Sequence, residues 1–309
     1  MTVPFTQSGA APQRALPERL RRFWTRPWVE KREVLSWRLR QIWNMVQSCV
    51  PGVKRMDQGF LWIAWNDVIR DAVLHGNFEM AERKFVERFL QPGMTAVDIG
   101  AYSGLYTLTA SARVGHEGRV IAFEPSPYQR RRLQWHVWLN HCSNVRIENT
   151  AIGSKEGEEI FFSVRGRSAG YSGLRPPEVK AATRPIPVRV TTLDSYLRQY
   201  SLGSVDFIKI DVEGGELDVF KGAVDLLRQR LRPVILCELE DVRTEAWGYK
   251  AKDAAAFVKS FGFRWFRPLP CGKLTSLGDN WDQNERNFVA VPEERMTQFK
   301  EIAGEETRS

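Results

Sequence analysis

The stretch AVDIGAYSG, residues 96–104, joins a short apolar run to a glycine-containing turn and decides the fold. Residues 95–99 predict a short buried strand, and the pattern of residues 103–114 predicts a helix directly after the turn. Gly100 permits a tight turn, and Gly104 lets the helix pack close to the sheet. Because the free amide groups at the start of such a helix face outward, a ligand site is predicted where the strand ends.

Strands and helices alternate on the C-terminal side of this turn, which indicates βαβ crossovers and a parallel sheet with helices on both faces. Strands are predicted at residues 95–99, 119–123, 144–151, 159–164, 188–191, 205–212 and 234–239. Helices are predicted at residues 103–114, 127–141, 193–200, 216–230 and 251–261. Residues 263–268 and 287–291 predict an antiparallel hairpin at one edge. The predicted fold class is therefore α/β, a doubly wound, mostly parallel, Rossmann-like sheet with ligands at the carboxyl ends of its strands.

Charge divides the chain into a basic N-terminal extension, residues 1–56, and a neutral body, residues 57–309. The extension holds 11 of the 45 Lys and Arg residues and three of the 37 Asp and Glu residues, which leaves 34 of each for the body. Residues 1–16 predict a flexible tail, and the Trp- and Arg-rich residues 17–50 predict an amphipathic helix. This helix is expected to pack on the body or on a second subunit, or else to lie on an anionic membrane face. The body has no basic stripe, so no nucleic-acid partner is expected.

The four cysteines stand far apart and have no zinc-type spacing, which predicts neither a disulfide framework nor a structural metal. The start has no signal-peptide pattern, and no apolar run has the length of a membrane span. We therefore expect a cytoplasmic protein, peripheral at the inner membrane face if its basic helix binds lipid.

Two acidic residues near the turn indicate the kind of ligand. The spacing G-x-x-x-G differs from the dinucleotide pattern G-x-G-x-x-G, whose second glycine makes room for a pyrophosphate, because Tyr102 fills that position. Asp98, just before the glycines, suits a ligand with a cationic amino group. Glu124 ends the next strand, 24 residues after Gly100, and is placed to accept both hydroxyls of a ribose. Capping of the following helix near Ser126 is the alternative role of Glu124, but turn and acid together predict a nucleoside ligand.

A third motif, IKIDVEGGE at residues 208–216, ends a strand with ionisable side chains. Alternation places Lys209, Asp211 and Glu213 on one side of the strand, and burying such groups is costly unless they serve a purpose. Asp211 is the best functional candidate. Lys209 alternatively neutralises its acidic neighbours, and Glu216 suits the dipole of the next helix.

Six motifs together resemble the FkbM family of methyltransferases, in order and spacing over residues 75–292: VDIGAYSGLYTL, GRVIAFEPSP, NTAIG, VTTLDSYL, DFIKIDVEGGELDVFKGA and ILCELE. The resemblance implies a class I methyltransferase fold with a core at residues 90–292, S-adenosylmethionine as cofactor, and O-methylation of a sugar, glycan or polyketide-like metabolite. The cofactor residues that it implies are Asp98, Gly100 and Gly104 at the methionine part, Glu124 at the ribose, Ala151 or Ile152 at the adenine, Asp211 near the methyl group, and Ala101, Tyr102 and Pro125 beside them. The family more often has Asn at the position of Tyr102.

Methyl transfer to an alcohol is an in-line displacement in which the hydroxyl must be aligned and lose its proton. Asp211 is the predicted group that accepts this proton or orients the hydroxyl, followed by Glu213 and Glu238, with Lys209 in the same set. No metal is predicted, although Asp211 and Glu238 could hold Mg²⁺. Two other classes stay open: a nucleotide-sugar or NAD-binding Rossmann enzyme, and a scaffold without catalysis.

The acceptor site is expected between an insertion, residues 153–187, and the segment 55–80. The insertion is predicted to be mostly irregular around its one strand, and irregular chain of this length is usually functional or disordered. Arg165, Arg167, Tyr171 and Arg175 would suit an acidic or glycosidic acceptor, and a solvated loop is the alternative.

Overall fold

The computed structural model describes residues 52–177, 180–277 and 286–297, together with Ser36 and Phe299. The chain divides into two compact units, residues 1–50 and 51–309. The predicted tail and amphipathic helix of residues 1–50 lie, apart from Ser36, outside the described residues. Within the described ranges, no helix combines the length and the apolar character needed to cross a membrane.

The described chain alternates strands and helices along most of its length. Its strands are β1 (Gly52–Arg55), β2 (Leu61–Ala64), β3 (Thr95–Ile99), β4 (Arg119–Phe123), β5 (Val145–Glu148), β6 (Thr150–Ile152), β7 (Gly157–Val164), β8 (Thr183–Thr191), β9 (Phe207–Ile210), β10 (Val234–Glu238), β11 (Phe263–Pro268), β12 (Leu274–Ser276) and β13 (Asn287–Pro292). Its α-helices are α1 (Arg70–His75), α2 (Met80–Phe89), α3 (Leu105–Val114), α4 (Pro127–Leu139), α5 (Leu193–Gln199), α6 (Glu216–Lys221), α7 (Val224–Leu227), α8 (Asp241–Thr244) and α9 (Ala251–Lys259). Short 3-10 turns cover Gly166–Tyr171, Glu245–Trp247 and Glu293–Arg295.

An eight-stranded sheet carries the fold, in the order β12-β11-β13-β10-β9-β3-β4-β5. The strands from β10 to β5 run parallel, whereas β13, β11 and β12 add antiparallel pairs at the C-terminal edge. The predicted doubly wound, mostly parallel sheet with an antiparallel C-terminal edge is confirmed. The strand order reverses between β3 and β9, and such a reversal leaves a crevice at the carboxyl ends of the two strands.

Helices cover both faces of this sheet because successive side chains of each strand point to opposite sides. On one face, Val97 packs with the helices α5, α6, α7 and α9. On the other face, Ala96 and Phe207 pack with α2 and α3. Asp98 and Lys209 share this second face by alternation and are register partners on β3 and β9. The fold thus places an acid beside a cation in the middle of the sheet.

The strand predicted over residues 144–151 is in fact two strands in two sheets. β5 ends at Glu148 as an edge of the large sheet, and β6 pairs with β8 in a second sheet of order β6-β8-β7. The insertion, residues 153–187, is also more regular than predicted, because β7 and β8 form a long antiparallel hairpin in this second sheet. The change of sheet at Asn149 brings β6 to the wall of the ligand cavity.

The helix predicted over residues 216–230 is broken into α6 and α7. A Cβ at Gly222, between the two helices, would lie 2.1 Å from the carbonyl oxygen of Gly153. The loop after β6 therefore packs directly against the point where the helix is interrupted. Sequence periodicity cannot predict this contact, because it joins distant parts of the chain.

The apolar run at residues 60–65 forms a hairpin, β1 with β2, that packs on α4. The Trp62 ring stacks on the His136 ring at 4.1 Å between centroids, and the Ile63 amide lies 2.9 Å from His136 Nε2. Burial lowers the pKa of His136 to about 4, so this histidine is neutral. Residues 52–55, which the charge pattern groups with the extension, therefore pair with a strand that packs on the body.

Candidate functional site

A cavity of about 310 Å³ lies at the carboxyl ends of β3, β4, β9 and β10. It brings together nearly all the predicted site residues: Asp98, Gly100, Ala101, Tyr102, Glu124, Pro125, Ala151, Ile152, Lys209, Asp211, Glu213 and Glu238. Gly104 does not line the cavity. A Cβ at Gly104 would lie 2.3 Å from Leu133 Cδ1, so this glycine allows α3 and α4 to pack closely.

The turn after β3 fits directly against the end of β9. Gly100 has a φ of 81°, and a Cβ there would lie 1.8 Å from the carbonyl oxygen of Asp211. The Asp211 amide donates a 3.0 Å hydrogen bond to the Ile99 carbonyl. The two strand ends therefore interlock with no room for a side chain between them.

Backbone amides hold the carboxylate of Glu124 in place. The Tyr102 amide donates to Glu124 Oε2 and the Ser126 amide donates to Glu124 Oε1, each at 2.8 Å. Burial raises the pKa of Glu124 to about 8, although these two hydrogen bonds act to lower it. The bond from Ser126 shows that the acid also organises the start of α4, so the two predicted roles of Glu124 are compatible.

Tyr102 fits the turn despite its size. Its φ of 52° is left-handed, a conformation that Asn adopts more readily than most side chains. Its hydroxyl lies next to Asp67 and to Gln129, which lines the cavity, and Asp67 forms a 3.0 Å ion pair with Arg132. Burial raises the pKa of Tyr102, which keeps the phenol neutral. The structure thus shows where the larger side chain goes.

Lys209 is a buried cation among carboxylates. Its side chain is 6% exposed, and its Nζ donates to Asp211 Oδ2 at 2.6 Å. Burial acts to lower the pKa of Lys209, but Asp211, Glu79 and Asp98 outweigh it, and the pKa is raised. Burial acts to raise the pKa of Asp211, but Lys209 and a hydrogen bond with Glu238 outweigh it, and the pKa is lowered. The pKa of Glu238 lies well above its ordinary value because of burial and the neighbouring Asp211. At neutral pH, Asp211 is therefore the carboxylate of this pair and Glu238 the acid.

Asp98 presents a carboxylate oxygen that the protein leaves unsatisfied. The residue is 3% exposed, and its Oδ2 accepts a 2.6 Å hydrogen bond from the Thr107 hydroxyl. Oδ1 is buried and has no hydrogen-bond partner among the described residues. Because buried polar atoms are nearly always paired, a free oxygen on a cavity wall indicates a ligand with a donor or a positive charge.

Glu213 and Arg243 close the cavity on the side of β10. Glu213 has a left-handed backbone with a φ of 58°, and its carboxylate lies 3.2 Å from Arg243 Nε. The Arg243 guanidinium also lies 4.5 Å from the centroid of the Tyr171 ring. Burial and the nearby Asp211 raise the pKa of Glu213 to about 8.

Three carboxylates at this end of the sheet are close enough to share a metal ion. Asp211, Glu213 and Glu238 each offer an oxygen, and these oxygens lie within 4.8 Å of one another. Lys209 already pairs with Asp211, and Arg243 already pairs with Glu213. Two of the three carboxylates thus already have a cationic partner from the protein, as in a network of ion pairs.

The predicted acceptor walls both reach the cavity. Val68, Ile69 and Phe78 line it from the segment 55–80, and Phe161 with residues 169–174 line it from the insertion. Tyr171 is among these residues, but Arg165, Arg167 and Arg175 are not. Arg175 stacks on the Trp247 ring at 4.2 Å, and Arg165 lies 5.8 Å from the Tyr128 ring. Arg175 and Arg165 thus lie against aromatic rings and are not part of the cavity lining. We therefore do not assign any arginine of the insertion to the acceptor site.

Several polar or aromatic lining residues were not predicted individually, among them Glu79, Tyr106, Gln129, Arg243 and Trp247. Arg243 and Trp247 follow β10, so their position after the carboxyl end of a strand was an available signal. Glu79, Tyr106 and Gln129 belong to helices or helix starts whose patterns indicate packing only.

Comparison with known proteins shows which family these motifs belong to. Residues 98–265 match the sequence model of a family described as "Methyltransferase FkbM domain". The chain is 25% identical over 208 residues to the AMB antimetabolite synthetase AmbE of Pseudomonas aeruginosa, a match covering 56% of this chain and 10% of that protein. It is 23% identical over 180 residues to the 31-O-demethyl-FK506 methyltransferase FkbM of Streptomyces tacrolimicus, covering 50% of this chain and 68% of that protein. A crystal structure of a methyltransferase FkbM from Methylobacillus flagellatus KT aligns with a TM-score of 0.41 at 17% identity, covering 72% of this chain and 54% of that one.

Proposed function

We propose that this chain, which belongs to the FkbM family of methyltransferases, methylates a hydroxyl oxygen of a sugar, glycan or polyketide-like metabolite. Its cofactor is S-adenosylmethionine. Membership of this family argues against the two alternatives, a nucleotide-sugar or NAD-binding Rossmann enzyme and a scaffold without catalysis. The name of the Streptomyces tacrolimicus relative, 31-O-demethyl-FK506 methyltransferase, supports oxygen as the methylated atom. One feature carries the proposal: Asp211 is held ionised by Lys209 on the wall of the cavity.

The cavity fits S-adenosylmethionine at both of its polar ends. The Glu124 carboxylate, oriented by two backbone amides, would accept the ribose hydroxyls. The unpaired Asp98 Oδ1 would accept from the ammonium group of the methionine part. When bound, the cofactor supplies an electrophilic methyl group on a sulfonium centre.

Asp211 would act on the acceptor hydroxyl. An alcohol is a poor nucleophile while it is protonated, and a carboxylate that accepts its hydrogen bond increases the electron density on oxygen. The low pKa of Asp211 keeps this group ionised, while Glu238 donates to it and Lys209 compensates its charge. As the acceptor oxygen took the methyl group and the methyl–sulfur bond broke to leave a neutral thioether, the hydroxyl proton would pass to the Asp211–Glu238 pair and then to solvent.

Replacement of Asp211 tests this proposal. Asp211→Asn keeps the shape of the side chain but cannot take a proton, so turnover should fall by about 10²–10⁴-fold while cofactor affinity changes little. Transfer of a labelled methyl group into extracted metabolites and glycans measures turnover, and calorimetry with S-adenosylhomocysteine measures affinity. Asp225→Asn is a matched control, because Asp225 forms an exposed ion pair with Arg198 away from the cavity. An Asp211→Asn variant with wild-type turnover would contradict the role of Asp211, and methylation found only on nitrogen or carbon would contradict O-methylation.

A further inference from the structure

Glu79, at the start of α2, stands on the cavity wall in a conformation that its own helix does not explain. Its φ of 41° and ψ of 50° are left-handed, a conformation that is unfavourable for a residue with a Cβ. Its carboxylate makes no capping hydrogen bond to α2 in the described structure, although its N-terminal position is where an acid usually caps a helix. A strained backbone conformation that the contacts of its own helix do not explain is typical of ligand sites.

Contacts from α3 direct this carboxylate toward the sheet. The Tyr106 hydroxyl donates to Glu79 Oε2 at 2.7 Å, and Tyr106 is itself 7% exposed. Lys209 Nζ lies 5.0 Å from the centroid of the Tyr106 ring, on the same face of the sheet as Asp98. Glu79, Asp98, Tyr106 and Lys209 all line the one cavity.

The charges in this corner do not balance. Three carboxylates, those of Glu79, Asp98 and Asp211, interact with the single ammonium group of Lys209. Lys209 gives its short hydrogen bond to Asp211, which leaves Glu79 and the unpaired Asp98 Oδ1 without a cation of their own among the described residues. Burial raises the pKa of Glu79 to about 7, and the attraction of Lys209 acts against this rise without cancelling it.

We propose that Glu79 is a second cofactor-binding acid, which together with Asp98 holds the α-ammonium group of the methionine part of the donor. The inference rests on the proposed function in that it takes S-adenosylmethionine as the ligand. An ammonium group has three N–H donors, so it can bind both carboxylates at once. The Tyr106 hydroxyl positions Glu79 for this contact.

The test compares two ligands that differ in the amino-acid part. S-adenosylhomocysteine carries the ammonium group, whereas 5′-methylthioadenosine has the nucleoside and lacks the amino acid. Calorimetry on the full-length chain should show that Glu79→Gln weakens S-adenosylhomocysteine about 10- to 100-fold, the range for a lost charge-assisted hydrogen bond. Binding of 5′-methylthioadenosine should stay within about twofold.

Two further variants keep the result interpretable. Glu79→Asn should behave like Glu79→Gln, and Asn tolerates a left-handed backbone, so misfolding would not account for the loss. Glu82→Gln removes an equal charge from the same helix at a residue outside the cavity lining, and should leave both affinities within about twofold.

Unchanged S-adenosylhomocysteine affinity in both Glu79 variants would overturn the inference, and so would an equal loss for the two ligands, which would indicate a structural role. A wild-type chain that binds neither ligand would instead contradict the proposed function itself.

Discussion

Lys209→Met removes the buried cation while nearly preserving its volume, and we expect it to destabilise the fold strongly. The Lys209 side chain is 6% exposed and its Nζ lies 2.6 Å from Asp211 Oδ2. Removing one partner of a buried ion pair costs about 3–5 kcal/mol, because the other charge stays buried without compensation. Domains of ordinary stability unfold at a cost of about 5–15 kcal/mol, so the loss would be a large fraction of the total.

The pH dependence of this loss identifies its cause. In the wild-type chain the pKa of Asp211 is lowered, so its contribution to stability is complete above the unfolded-state value and is lost only in acid below it. In the variant, burial without Lys209 raises that pKa above the unfolded-state value. The folded variant then takes up a proton more readily than its unfolded chain does. The difference in stability between variant and wild type should therefore shrink between pH 7 and pH 5.

Guanidinium unfolding followed by circular dichroism at the two pH values measures this difference. Lys221→Met is the matched control, since Lys221 is 49% exposed and lies 3.7 Å from Asp218, and such surface pairs contribute about 0–1 kcal/mol. A loss for Lys209→Met no larger than for the control, or a loss equal at pH 7 and pH 5, would refute the reasoning.

Four other perturbations have definite expected outcomes. Gly100→Ala should lower the free energy of unfolding by about 2–4 kcal/mol in thermal denaturation and abolish cofactor binding, because its Cβ would overlap the Asp211 carbonyl. Gly93→Ala, with a φ of 84° and open space around its Cβ, should cost only the backbone strain of about 1 kcal/mol. EDTA should leave methyl transfer unchanged, because Lys209 and Arg243 already neutralise two of the three clustered carboxylates, whereas a loss restored by Mg²⁺ would show a metal site. We propose that residues 17–50 contact an anionic membrane. Deleting residues 1–50 should then weaken sedimentation of the protein with phosphatidylserine vesicles and leave its cofactor affinity unchanged. A loss of solubility or a change of oligomeric state would instead support packing of these residues on the body or on a second subunit.

Much of the sheet could be predicted because each of its strands is marked by a short stretch of neighbouring residues. Residues 95–99 and 119–123 are apolar runs of strand length between polar turns, and both strands have the predicted bounds. Parallel strands meet at their carboxyl ends, so the motifs that follow β3, β4 and β9 had to converge on one crevice. The proximity of the acids at 98, 124 and 211 follows from this topology alone.

What could not be predicted depends on contacts between distant parts of the chain. β5 and β6 read as one strand, since the partner that draws β6 away, β8, lies more than 30 residues later. The break between α6 and α7 arises from the loop at Gly153. Glu79 could be predicted only as part of the segment 55–80 at the acceptor site, because its individual role depends on Tyr106 and Lys209, which the sequence does not place beside it.

The interlock of Gly100 with the carbonyl of Asp211 also limits how such an enzyme can diversify. The loop that carries the donor and the strand that carries the acid share one fixed contact, so a change on either side displaces the other. Selection for a new acceptor would therefore act on elements that reach the cavity without touching this contact. The β7–β8 hairpin and residues 65–78, between β2 and Glu79, are such elements, and we expect relatives with different acceptors to differ most there.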